Sequence, residues 1–148
     1  MKLLLLFMAG VLLAGCDAGM NGDQQAREVA EEWADAYFNC DFKDASQYVT
    51  EESHKWLQFA ASNTTAEELK LLQDAGGAQV SISDSFDEAN DTMRLVTLSV
   101  TNVLKASKGE QTPILANKGT FKIVVVKRDA DWQVRMAGLP QNGMRSRD

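Results

Sequence analysis

The residues that could do chemistry are few. His54, followed by Lys55, is the only histidine in the chain. A zinc site needs three or four His, Cys or carboxylate ligands, and one histidine with only Cys16 and Cys40 for company cannot assemble it. No metal site and no cofactor is expected. Cys40 stands between Asn39 and Asp41, where no cation lowers its thiol pKa. It reads as an inert, partly buried thiol or as one half of an intermolecular disulfide in an oxidising compartment. The chain contains no H-E-x-x-H, G-x-S-x-G or G-x-x-x-x-G-K-[ST] pattern. Gly76-Gly77 has no following lysine, so it reads as a helix stop. What remains is a set of aromatic residues, Trp33, Tyr37, Phe38, Phe42, Tyr48, Trp56 and Trp132, interspersed with acids. Aromatics at helical spacing are more often core than pocket.

Cys16 belongs to a different pattern. The chain opens MKLLLLFMAGVLLAGC: a cation at Lys2, then an apolar run too short for the roughly 20 helical residues a bilayer requires. It closes on Leu13-Ala14-Gly15-Cys16, which resembles the lipobox read by bacterial lipoprotein signal peptidase. Residues 1–15 are therefore expected to be a signal peptide, and Cys16 to carry the lipid. Two or three acyl chains hold a protein stably at a bilayer where one holds only marginally. Asp17 after the cysteine resembles the enterobacterial signal for retention in the inner membrane. The expected location is the cell membrane, lipid-anchored and facing the periplasm, with the inner membrane favoured. The tether of residues 16–23 is short. Asp17 to Asp23 reaches at most ~23 Å when extended, so the domain works close to the membrane.

The rest of the chain must supply one domain. Of 148 residues, 45% are hydrophobic and 24% charged, a globular composition. The net charge of −6 argues against nucleic acid as a partner and against tight docking on anionic headgroups. From Asp23, a capping candidate, the residues Ala26, Val29, Ala30, Trp33 and Tyr37 recur at helical steps. Glu28, Glu31, Glu32 and Asp35 fall on the opposite, solvated face. Phe42 to Val49 predicts one or two further turns. Thr50 is expected to cap a third helix bearing Trp56, Leu57 and Ala60, and Thr65 with Glu68 fits a capping box ahead of a fourth. Period-two patterns then take over: a strand through Val80, Ile82 and Phe86, a polar turn at 87–91, a strand from Met93 to Val103, a loop from Lys105 to Gly119, a strand from Thr120 to Lys127, and a hairpin into Trp132, Val134 and Met136. Helices first and an antiparallel meander last predict an α+β domain over residues 24–138: N-terminal helices packed on a curved sheet of about four strands. Residues 139–148 are expected to form a flexible tail.

The string AREVAEEWADAYFNCDFKDASQYVTEES, with Phe42, Ala45, Tyr48, Thr50, Glu51 and Glu52, resembles the opening of small bacterial lipoproteins with a nuclear-transport-factor-2-like (cystatin-like) domain. FKIVVVKRDADWQVRMAG resembles that family's last two strands. The resemblance implies a cone-shaped fold and, for most such lipoproteins, no assigned activity. Some enzymes of the fold, ketosteroid isomerase and scytalone dehydratase among them, place a carboxylate base and a tyrosine or histidine donor inside the cone. The residues here that match those roles are Asp41, Tyr37 and Tyr48. The leading expectation is a non-catalytic ligand- or protein-binding module that meets an envelope protein or small ligand, with Trp33, Tyr37, Tyr48 and Trp56 lining the binding face. The alternative is a small isomerase- or dehydratase-type enzyme using a carboxylate and a tyrosine in the cone. Either is compatible with a homodimer formed through the sheet.

Overall fold

The computed structural model describes residues 22–105 and 112–143, with backbone alone for 84–90. The leader, Cys16 and the tether up to residue 21 lie outside the described residues.

Helix α1 (Gly22–Phe38) buries Ala26, Ala30, Trp33, Ala34, Ala36 and Phe38. Alanines at 26, 30 and 34 form a thin stripe that lets the helix backbone lie close to the sheet, while Trp33 projects into the core at 0% exposure. Asp23 does not cap this helix. It lies inside the first turn, and its carboxylate accepts from Arg94 Nε at 2.8 Å, because a buried guanidinium claims it more strongly than a free helix end does. The helix stops where Cys40 N–H bonds Tyr37 O (3.0 Å) and Asp41 N–H bonds Ala36 O (2.9 Å), with Cys40 in the left-handed region at φ +62°. This double bond pattern is a Schellman ending. Asn39 then ties the helix end to the next layer. Its amide donates to Ala78 O at 3.1 Å, and its oxygen accepts from Ala78 N–H at 2.8 Å. Gly77 makes that approach feasible: a Cβ there would sit 2.9 Å from Asn39 Oδ1, and its φ is +83°.

Helix α2 (Phe42–Ala45) leads through 3₁₀ turns at Ser46–Tyr48 and Glu51–Ser53 into α3 (His54–Asn63). Thr50 was expected to cap α3. Instead its fully buried hydroxyl meets Ser53 Oγ at 2.6 Å, and Ser53 Oγ accepts from Met136 N–H at 2.8 Å. These two hydroxyls satisfy each other and the amide just after β4 inside the protein, which takes precedence over a cap at its surface. Helix α4 (Ala66–Asp74) has the expected capping box at Thr65 and Glu68.

Strands β1 (Gln79–Asn90), β2 (Met93–Lys105), β3 (Ile114–Arg128) and β4 (Asp131–Arg135) form one antiparallel sheet in sequence order. Arg94, Val96, Leu98 and Val100 point inward along β2. The phase then changes at Asn102, φ +59°, so that Val103 is again inward. Asn102 Nδ2 donates to Gly77 O at 3.0 Å, which anchors this bend to the end of α4.

Three boundaries differ from the sequence reading. The polar stretch 87–90 is strand, since Asp87, Glu88 and Asn90 pair with Leu95, Arg94 and Met93, and the turn shrinks to Asp91-Thr92. Within the expected loop from Lys105 to Gly119, residues 114–119 are strand: Ile114, Leu115 and Ala116 pair with Lys105, Leu104 and Val103. In both places backbone pairing with a strong neighbouring strand overrides a polar local composition. The domain also runs past Gly138. Gly143 N–H bonds Thr120 O at 2.7 Å, and Asn142 Oδ1 accepts from Thr120 N–H at 3.1 Å. The chain is thereby fastened to the edge of β3 that the five-residue β4 leaves open.

One surface pair gives a pH signature. Arg128 holds Glu52 with both guanidinium nitrogens, Nη1 to Oε2 at 2.8 Å. Those hydrogen bonds lower the Glu52 pKa from 4.5 to about 2. A carboxyl whose folded pKa lies below its unfolded one stabilises the fold above the unfolded value and loses that contribution as the pH falls toward the folded one. The stability difference between the wild type and Glu52→Gln is therefore expected to be constant above about pH 5.5 and to vanish as the pH approaches 2. Denaturant titrations across that range read it. A difference that persists unchanged at pH 2 contradicts the pairing.

Candidate functional site

The aromatic residues divide into an inner group and an outer one. Trp33 and Tyr37 stack with ring centroids 4.9 Å apart, and Phe38 meets both edge-on. Phe42 packs on Tyr37 at 5.6 Å and Phe121 on Phe38 at 4.6 Å. This chain of rings joins α1 to the inward face of β3. Burial, then the nearby Cys40, pushes the Tyr37 hydroxyl up to about 12, so it stays protonated as a core phenol. The Cys40 thiol is raised by burial first and then by Glu68. Cys40 is half-buried and has no disulfide partner among the described residues.

Asp41 is not in the cone. It is exposed and caps α2, with Oδ1 accepting from Asp44 N–H at 3.1 Å. Together with Tyr37 and Tyr48 it was the candidate acid–base group, but the structure leaves the three apart: Tyr37 in the core, Asp41 on the surface, and Tyr48 on the far flank of α1. Trp56 is half-buried on α3, with Lys55 Nζ 5.3 Å from its ring. Of the four residues expected to line a binding face, Trp33 and Tyr37 come together inside the core, while Tyr48 and Trp56 stand elsewhere.

Tyr48 leads to a site that the sequence reading did not isolate. Between α1 and the β3–β4 hairpin runs a groove of about 380 Å³, lined by Gln25, Glu28, Val29, Glu32, Gln47, Tyr48, Ala130, Asp131, Trp132 and Gln133. The Tyr48 hydroxyl lies near Glu32. Burial first, and then Glu32 and Asp44, raise its pKa. Trp132 sits in the wall at 6% exposure, with the Arg94 guanidinium 5.2 Å from its ring. A second groove of about 310 Å³, on the β1 flank of the same helix, is lined by Glu28, Glu31, Glu32, Asp35 and Val80. The signal available in the sequence was the i, i+4 pair Glu28 and Glu32 beside Val29, three residues that share one flank of a helix. Hydropathy alone counts such residues as a solvated face. Among the described residues no group of three or more His, Cys, Asp or Glu could hold a metal. The arrangement offers carboxylates, a phenol and an indole edge in an open groove, which is equipment for binding.

The chain matches no protein-family model and no curated protein. Among solved structures it is similar to a nuclear-transport-factor-2-like protein involved in plasmid conjugation. That similarity has a TM-score of 0.51 and 16% identity, over 84% of this chain and 50% of the other, so the chain spans about half the length of that protein. A nuclear-transport-factor-2-like protein of unknown function from Shewanella oneidensis has a TM-score of 0.47 and 15% identity, over 72% of this chain and 88% of its own. The fold, helices followed by a curved four-stranded antiparallel sheet, is the nuclear-transport-factor-2-like α+β cone.

Proposed function

We propose that this chain is a lipoprotein anchored at the cell membrane through Cys16, facing the periplasm, whose soluble domain is a non-catalytic binding module. The observation that carries the binding reading is the packing of rings beneath α1. Trp33, Tyr37, Phe38, Phe42 and Phe121 stack on one another between α1 and β3. Asp41, the nearest candidate base, is used as a surface cap. The open surface lies on the outside of α1 instead. The anchoring reading rests on Leu13 to Cys16 and the short apolar run before them. Asp17 favours retention in the inner membrane.

The anchor is tested by labelling growing cells with radioactive palmitate. The native chain is expected to take up label, while Cys16→Ser takes up none and accumulates at the larger size of the unprocessed precursor. Equal labelling of the two, or normal processing of Cys16→Ser, overturns the anchor.

A further inference from the structure

We infer that the groove between α1 and the β3–β4 hairpin docks an extended, lysine- or arginine-bearing segment of a partner protein. The inference rests on the binding-module reading above and names the partner's chemistry. Charge is the first argument. Glu28, Glu32 and Asp131 line the groove, and none of the ten lining residues is a lysine or arginine. Carboxylates on both walls favour a cationic occupant and repel an anionic one.

Shape and lining are the second argument. At about 380 Å³ the groove lies at the small end of the ~300–1,000 Å³ typical of ligand sites, enough for one or two side chains of an extended segment. Val29, Tyr48 and Trp132 give apolar surface on which the methylene stem of a lysine or arginine can lie while its head reaches a carboxylate.

Independent of charge, the wall holds an unsatisfied donor. The Trp132 indole N–H is buried without a hydrogen-bond partner, next to Gly22 where α1 begins. A compact inorganic cation would leave the apolar wall and the indole unused.

The test uses the processed lipoprotein in mild detergent and a hexapeptide of alternating lysine and alanine, with affinity read by calorimetry. The native protein is expected to bind the peptide, and binding weakens as salt rises. Glu32→Gln and Asp131→Asn should each weaken binding roughly two- to fivefold, the range for a partly exposed ion pair. Both residues are exposed, so the fold tolerates the exchange. Glu31→Gln and Asp35→Asn, which line only the second groove, should leave the affinity unchanged.

Absence of binding overturns the inference, as does an equal loss in all four variants, which would mark diffuse attraction to an acidic helix. Spermidine binding as tightly as the peptide overturns it in favour of a free polyamine. A photoreactive residue at position 48 separates this failure from that of the broader reading. If the peptide does not bind while position 48 still crosslinks one envelope protein in cells, the cationic chemistry falls and the binding module stands.

Discussion

Trp33→Ala is expected to cost about 3–5 kcal/mol, the range for truncating a core aromatic. Domains of this size have only about 5–15 kcal/mol in total, so the variant should be largely unfolded well below the denaturation midpoint of the native chain. Trp33 has no exposed surface and is the ring on which Tyr37 stacks and against which Phe38 sets its edge. Removing it opens a void at the point where α1 meets the sheet, and a close-packed interior relaxes into such a void only in part. The same position gives a contrasting expectation. The Trp33 indole N–H is buried without a partner, so Trp33→Phe removes an unsatisfied donor along with some volume. It should cost markedly less than the alanine exchange. Urea denaturation of the three proteins measures both. Equal losses in Ala and Phe would contradict the account of this residue.

Asp23→Ala is expected to cost about 1–3 kcal/mol. Arg94 is 7% exposed on the inner face of β2, and its Nε donates to Asp23 at 2.8 Å. Breaking a fully buried ion pair from one side costs about 3–5 kcal/mol, because the surviving charge stays desolvated. The Asp23 side chain is 43% exposed, which screens the pair and lowers the figure. The double variant Asp23→Ala with Arg94→Met should lose less stability than the sum of the two single exchanges, since both remove the same pair. A double-mutant cycle in denaturant decides it, and simple additivity of the two exchanges rules out the coupling.

Much of the architecture was readable because it is written in periodicity. The Ala26–Ala30–Trp33 spacing specifies α1, Thr65 with Glu68 specifies the start of α4, and Phe121, Ile123 and Val125 mark the inward face of β3. What escaped the sequence reading depends on partners distant in the chain. Asp23 reads as a cap until Arg94, 71 residues away, is brought to it by the sheet. Thr50 reads as a cap until Ser53 and Met136 N–H draw the hydroxyls inward. The polar stretch 87–90 and the segment 114–119 become strand only because β2 lies alongside them.

The candidate site was less legible for the same reason. Tyr48 was singled out from the sequence, but its setting was not foreseeable. The groove is built from three stretches, at 25–32, 47–48 and 130–133, none of which is distinctive alone. Trp132 reads as ordinary core in its own strand, and nothing local places it beside Gly22. Asp41 looked suited to catalysis because it follows the aromatic helix. Its φ and ψ as the residue before α2 turn it outward to cap that helix, a local demand that outweighs any pull toward the cone.

The central claim is that the inside of the cone is solid and that binding happens on the outer flank of α1. The three indole N–H signals of the uniformly ¹⁵N-labelled protein separate these places directly. Trp33 reports on the cone, Trp132 on the groove and Trp56 on α3. As the lysine–alanine hexapeptide is added, the account predicts that the Trp132 indole signal and the amides of Glu32 and Tyr48 shift together and saturate at one concentration, while the Trp33 indole stays fixed. A Trp33 indole that shifts while Trp132 stays still would place the ligand inside the cone and contradict the account.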